Sequence, residues 1–405
     1  MPRPYAKSTS PSQRLTMPQR KMKRVAARLL TVGLSVVVAL VILEVFLRIS
    51  GYSYPIFTTT DQTVGVALRP RAEGWYRKEG EAYIRISSDG LRDKEHARAK
   101  PANTVRIAVL GDSFAEALQL PQENAFWAVM EQRLGGCQAL GGRAIEVINF
   151  GVSGYGTAQE LLTLRHKVWQ YQPDIVLLAV TTSNDIADNS RALKGEDIPY
   201  FILRNGELVL DDSFRNSSFF RSHDSLPYRF LRGASDYSRL VQGFYQARYA
   251  LRVRESARPE INVVEQGHSP LVYRQPEDAV WDDAWRVTEK LILAMRDEVW
   301  SRSAKFLVVT LSNGIQVNPD ADLREQFRRT FNIDDLFYPD KRIKALGERE
   351  NFPVFNLAPL LLDYATQNKT YLHGFEQNLG RGHWNAAGHR VAGELIAQYI
   401  CNEME

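Results

Sequence analysis

Cysteine is close to absent. The 405 residues hold two, Cys137 and Cys401. A disulfide framework is thereby excluded; one bridge between the two is open, and their spacing does not decide it. Charge of one sign is also scarce: 51 Lys and Arg face 47 Asp and Glu, a formal net charge of +4. Much of that excess sits in the first 28 residues, where Arg3, Lys7, Arg14, Arg20, Lys21, Lys23, Arg24 and Arg28 meet no acidic residue. The remainder is near neutral, so it carries no nucleic-acid footprint, and no nucleic-acid partner is expected. No internal repeat or low-complexity segment is evident. With 44% apolar and 24% charged residues, a folded core is expected rather than disorder. The length suits one large domain with insertions, or two domains.

One apolar run stands out. Residues 29–49, LLTVGLSVVVALVILEVFLRI, are apolar except for Thr31, Ser35, Glu44 and Arg48. About 20 residues are needed to cross the hydrocarbon layer as a helix, and this run reaches that. Glu44 and Arg48 lie near its end, where long polar side chains reach the interface. The basic residues before it predict a cytoplasmic N-terminus and a body on the far side of the cytoplasmic (inner) membrane, held by a single pass. A cleaved signal peptide would need a small-x-small site after the run. The residues there are EVFLRISGYSYP, so an uncleaved anchor is expected.

Residues 50–103 are turn-rich and predict an irregular lead-in with a hairpin. Beyond them, apolar β-rich runs alternate with helix-like segments. The runs are 105–111, 145–151, 174–182, 305–312 and 353–359; the helical segments are 121–135, 157–171, 276–303, 339–350 and a closing AAGHRVAGELIAQYI. Most runs are continuously apolar, as for strands buried on both faces of a parallel sheet. The alternation predicts an α/β fold with a doubly wound parallel sheet. The stretch from about 186 to 275 breaks the rhythm. Rich in Phe, Tyr and Arg, it reads as a partly helical insertion over the sheet edge, of a length found in lids and partner surfaces.

Three polar motifs end three successive runs: GDSF with Ser113, NFGVSGYG with Gly154, and TTSND with Asn184. Neighbouring strand ends of an open parallel sheet line one crevice, where ligands bind. The motifs therefore converge. Ser113, followed by Glu116, reads as an S-x-x-E capping box, and that geometry also suits a nucleophile, because the helix N-terminus favours developing negative charge. The G-x-S-x-G elbow of another hydrolase fold is absent. A serine nucleophile needs a base. His383, in the Gly-rich GRGHWNAAGHR before the last helix, is the candidate; His389 falls inside that helix and reads as a packed or capping residue. The other histidines, His96, His166, His223, His268 and His373, sit in no comparable context. Acyl transfer also needs oxyanion donors, which the N–H groups of Ser113 and Gly154 and the Asn184 amide would supply.

Ser, Gly, Asn and His in this order resemble the SGNH/GDSL hydrolase family. VLGDSF is similar to its first block, NFGVSG to its second, SND to its third and GHWNAAGH to its last. Membrane-anchored bacterial members related to alginate O-acetylation proteins are similar in their anchor and in the HWN of the last block. The resemblance spans about residues 104–400, apart from the insertion. It implies a flavodoxin-like three-layer α/β/α sandwich. It also implies a serine esterase or O-acyltransferase acting on acyl esters, acetyl esters of cell-surface carbohydrate in the first place, with no cofactor and no metal. Thr182 stands where the family has Gly. The family's acid, an Asp two or three residues before the His, would fall at Arg381 or Gly380. Two other carboxylates come into consideration, Glu376, near in sequence, and Asp185, next to Asn184. Without them the pair would be a Ser-His dyad with a main-chain carbonyl orienting His383. A non-catalytic polysaccharide-binding or assembly protein on the same fold is the alternative that a missing acid favours.

Overall fold

A computed structural model describes residues 19–256 and 269–403. Most of the basic tail, the end of the insertion and His268 lie outside the described residues.

The chain opens with helix α1 (Gln19–Ile49), then two antiparallel hairpins, β1 (Thr58–Asp61) with β2 (Gly65–Leu68) and β3 (Glu73–Tyr76) with β4 (Ala82–Arg85). The α/β body follows: β5 (Thr104–Leu110), α2 (Ser113–Glu116), α3 (Phe126–Leu134), β6 (Ala144–Asn149), α4 (Thr157–His166) and β7 (Ile175–Thr181). The insertion holds α5 (Asp185–Asp188), α6 (Arg191–Lys194), the hairpin β8 (Tyr200–Arg204) with β9 (Glu207–Asp211), and helices α7 (Ser218–His223), α8 (Leu226–Tyr237) and α9 (Arg239–Ser256). The body resumes with α10 (Ala279–Ser301), β10 (Lys305–Leu311), α11 (Ala321–Phe331), α12 (Tyr338–Arg349), β11 (Val354–Asn356), α13 (Leu357–Asn368) and α14 (Ala386–Glu403).

The central sheet is parallel, with strand order β11-β10-β7-β5-β6. Counted along the chain this is the 2-1-3-4-5 order of flavodoxin-like folds. Side chains alternate between faces, as the strand period of two requires. From β5, Ala108 and Leu110 enter one core with α4, α10 and α12, whereas Val105, Ile107 and Val109 enter the other with α3, α13 and α14. Both faces are covered, so the runs are mostly apolar. A charged residue inside β5, Arg106, is buried but answered across the register by Glu146, with Nε at 2.7 Å from the carboxylate.

Two expectations need correction, and helix α11 falls in a stretch for which the sequence predicts no helix. The run 353–359 is strand only through Asn356, after which α13 begins at Leu357. Pro359 sits in the first turn of that helix, where its missing N–H is harmless. The polar helix α11, capped by Asp320, buries only Phe327 and so shows little apolar stripe. The insertion does not lie over the sheet edge. It leaves from β7, a central strand, and its helices bond to the lead-in: Asp224 to Thr60 and Gln62, Asp236 to Arg69, and Gln242 to the Tyr54 N–H. The lead-in is not separate from the body either. Phe57, Leu68, Ile84, Ile86 and Leu91 join the same core as α4 and α10.

Helix α1 is long and apolar enough, over Lys21–Ile49, to cross a membrane, and its apolar window is wholly unburied. Glu44 turns back from it to accept the N–H groups of Arg239 and Leu240 and the Ser238 hydroxyl. A residue of the apolar run thus caps α9.

Cys137, just after α3, is bonded to Cys401 in the last turn of α14, with Cα atoms 5.8 Å apart. The bridge clamps two helices that already pack together on one face. Replacing both cysteines by serine is expected to lower unfolding free energy by about 2–4 kcal/mol, through the larger freedom of the unfolded chain. Denaturant titration of the two forms checks this, and equal midpoints would refute it.

Candidate active site

The strand ends of β5, β6 and β7 are adjacent, and each releases a short polar loop on the same side. After β5, Gly111 turns the chain into Asp112. Asp112, not Ser113, is the N-cap of α2: its carboxylate accepts the Phe114 N–H at 3.0 Å. The expected Ser113–Glu116 capping box is not formed. Glu116 is buried and accepts the N–H of Ser153 at 2.6 Å instead. Two consequences follow. Ser113 keeps its hydroxyl free of capping duty, and Glu116 fastens the loop that carries Gly154.

The Ser113 Oγ lies 2.8 Å from Nε2 of His383. On the other side of the ring, Nδ1 is 2.5 Å from Oε2 of Glu79, whose Oε1 accepts the His383 main-chain N–H at 3.0 Å. A carboxylate against Nδ1 places the proton there and leaves the Nε2 lone pair toward the serine. Burial pushes the Glu79 carboxyl up, but the hydrogen bonds and charge of His383 outweigh it and hold it below the usual range. Glu79 belongs to the turn between β3 and β4, in the lead-in. Gly382 is required beside it: its φ is +74°, and a Cβ there would stand 2.3 Å from Oε1 of Glu79.

Neither expected acid occupies this position. Glu376 sits on an exposed turn. Asp185 is buried on α5 and accepts the Thr181 N–H at 2.8 Å. Burial, then the charges of Glu160, Asp112 and Asp188, raise its carboxyl well above the normal value. The group orienting His383 is likewise a carboxylate, not a main-chain carbonyl.

Residues flanking His383 are held by a chain that includes His373. The His373 Nδ1–H donates to the Gly382 carbonyl at 2.7 Å, and its Nε2 accepts from Ser312 Oγ at 2.9 Å. Ser312 in turn accepts the indole N–H of Trp384 at 2.8 Å. His373 therefore has a context after all: it fixes both neighbours of the histidine. His389 is packed, as expected. It is fully buried, its Nδ1 accepts the Phe126 N–H at the start of α3, and burial first, then His383 and His373, push it down to about 3.

Of the expected oxyanion donors, the N–H groups of Ser113 and Gly154 meet no acceptor among the described residues. Gly154, at φ +82°, adopts a conformation that a side chain would strain. The Asn184 amide donates to Asp112 at 3.1 Å and to Asp188 at 3.4 Å, the latter at the long limit. Thr182, in the place of the family's Gly, is buried and accepts from the Asn313 amide at 3.3 Å. A cleft of about 270 Å³ opens alongside, lined in part by Tyr54, Trp75, Tyr76, Lys78, Glu116 and Ser153. Among the described residues no cluster of His, Cys, Asp and Glu could hold a metal ion.

The chain resembles the SGNH/GDSL hydrolases in fold. No protein-family model matches the sequence, and no curated protein matches it. Solved structures do. One, described as a lipolytic G-D-S-L family protein from Desulfitobacterium hafniense, is 13% identical with a TM-score of 0.35, covering 73% of this chain and 98% of its own. The acetyl xylan esterase AlAXEase is 16% identical with a TM-score of 0.35, over 73% and 99%. The acetylxylan esterase Axe2 from Geobacillus stearothermophilus is 12% identical with a TM-score of 0.35, over 74% and 94%. These likenesses are weak, and the chemistry of the site stands on its own atoms.

Behind the site, Asp112, Glu160, Asp185 and Asp188 share one buried region. Glu160 is fully buried, and neither of its oxygens makes a hydrogen bond within the protein. Burial, then Asp112 and Asp188, raise its carboxyl well above the usual value. Because its folded-state value lies above the unfolded one, near 4.5, stability falls as pH rises above about 4.5. Glu160→Gln is expected to be neutral near pH 4 and stabilising at pH 8. Thermal unfolding at both values checks the sign; equal behaviour of the two proteins at pH 8 would show that folding does not raise the Glu160 carboxyl.

Proposed function

We propose that the protein is a serine esterase or O-acyltransferase for acyl, chiefly acetyl, esters of carbohydrate. It is held to the membrane by α1, with the body on the extracytoplasmic side. The observation that supports this is the continuous line Ser113 Oγ, His383 Nε2, His383 Nδ1, Glu79. Ser113 attacks the acyl carbon and gives its proton to Nε2. The N–H groups of Ser113 and Gly154, with the Asn184 amide turned from Asp188, hold the oxyanion. His383 then protonates the leaving alkoxide, and the acyl group stays on Ser113 Oγ. Water returning along the same path gives hydrolysis; a sugar hydroxyl gives transfer. Glu79 keeps the imidazole in its working tautomer and stabilises the imidazolium.

Carbohydrate is the substrate class that the SGNH/GDSL resemblance implies. The hairpin carrying Glu79 adds to it. Trp75 and Tyr83 stand side by side there, 38% and 41% exposed, with Arg77 and Arg85 over their rings. Flat aromatic faces beside guanidinium groups suit the C–H faces and hydroxyls of a sugar. The alternative of a non-catalytic binding protein drew on a missing acid, and Glu79 removes that ground.

The test uses the full chain in detergent with a chromogenic acetyl ester, with and without sugar acceptors. Ser113→Ala is expected to abolish turnover, and Glu79→Gln to lower kcat about 10³- to 10⁴-fold with little change in KM. Wild type no faster than Ser113→Ala defeats the enzyme reading. Glu79→Gln within threefold or so of wild type would leave that carboxylate without a part in the relay. Acetylated sugar in the product mixture distinguishes transfer from hydrolysis.

A further inference from the structure

Helix α8 is built inside out. Leu226, Phe230 and Tyr237 fall within about 40° of one another around the helix axis at 3.6 residues per turn. They are 78%, 80% and 81% exposed. The opposite side, with Arg232 and Ser235, is buried. A surface helix in water turns its apolar stripe to the core and its polar side out. Here the polar side packs and the apolar stripe is bare. The pattern continues on α9 with Phe244 and Leu251, 56% and 60% exposed, and on α7 with Phe219 at 47%. Arg221, Arg229 and Arg248 are exposed on the same three helices, while the acids Asp224 and Asp236 are bonded to lead-in residues.

What covers this stripe is indicated by its position. Arg48, near the end of the apolar run, donates to the carbonyl of Tyr237, the last residue of α8. Glu44, one turn earlier, caps α9. The junction of the two insertion helices is therefore level with the last turn of the span. An apolar stripe fixed at that height, flanked by arginines, meets acyl chains and headgroups, not water. The geometry points to α8 and the start of α9 as an interfacial element that lies in the outer leaflet beside α1 and seats the body on the bilayer. This rests on the proposed anchoring by α1 and adds a second, independent contact with lipid.

The two can be separated in one experiment. The native cysteines are bonded to each other, so a single introduced cysteine can be labelled with a polarity-sensitive fluorophore. Full-length Val37→Cys reports the middle of α1, Phe230→Cys the stripe of α8, and Leu360→Cys an exposed site on α13 across the body. Each is reconstituted in phosphatidylethanolamine–phosphatidylglycerol vesicles with and without nitroxide-labelled acyl chains. Position 230 is expected to lose about half its emission or more to the nitroxide, as position 37 does, while position 360 is unchanged. Quenching at 37 with none at 230 overturns the interfacial element and keeps the anchor. Quenching at neither overturns both. Quenching at 230 alone supports the lipid-facing stripe and overturns the anchor.

Discussion

The site depends on one contact, the double grip of Glu79 on His383. It joins residues 304 positions apart and takes both the ring Nδ1–H and the main-chain N–H. A serine hydroxyl is a poor nucleophile until a base receives its proton. A base on a glycine-rich loop works only if something fixes its tautomer and its angle. One carboxylate does both here. The surrounding structure serves the same end. Gly382 leaves room for the carboxylate, the His373–Ser312–Trp384 chain anchors the flanking residues, and Phe114 packs on the imidazole with ring centroids 5.0 Å apart.

The electrostatics behind this line follow from the same economy of space. Asp112 caps α2 and takes the Thr181 hydroxyl and the Asn184 amide, so it ties two strand ends together. Its acidic neighbours cannot all be ionised in a region with little water. Asp188 has Lys194 at 2.8 Å and is still pushed up to about 6, chiefly by burial. Burial raises the carboxyls of Asp185 and Glu160 as well. Asp112 and Asp185 hold the strand-end loops through hydrogen bonds to Phe114, Thr181 and Asn184, whereas Glu160 makes none within the protein.

What could be read in advance, and what could not, divides by range. The strands β5, β6, β7 and β10 are visible because sheets covered on both faces demand unbroken apolar runs. Ser113, Gly154 and His383 were legible because each follows such a run or lies in a glycine-rich loop, so position alone marks them out. Glu79 was not. RKEGE between two short alternating stretches looks like any exposed turn, and only the fold closes the 304-residue gap. The one available hint was negative: the last block lacks its acid, so a carboxylate had to come from elsewhere. At Ser113–Glu116 the S-x-x-E pattern is a sound local signal that loses to a long-range partner, the Ser153 N–H. The role of His373 is not legible in the sequence, because a histidine that positions another residue has no local signature.

The place of Glu79 on the lead-in has a further consequence. Arg77, two residues before it, donates to the carbonyl of Gly51, which follows α1 almost at once. The residues that follow α1 are thereby tied to the hairpin that carries the acid. For a chain anchored as proposed, that tie keeps the pocket close to the bilayer surface. Such an enzyme would choose among esters by where they are presented: a strand being extruded close to the bilayer is within reach, while the same group farther out in the envelope is not.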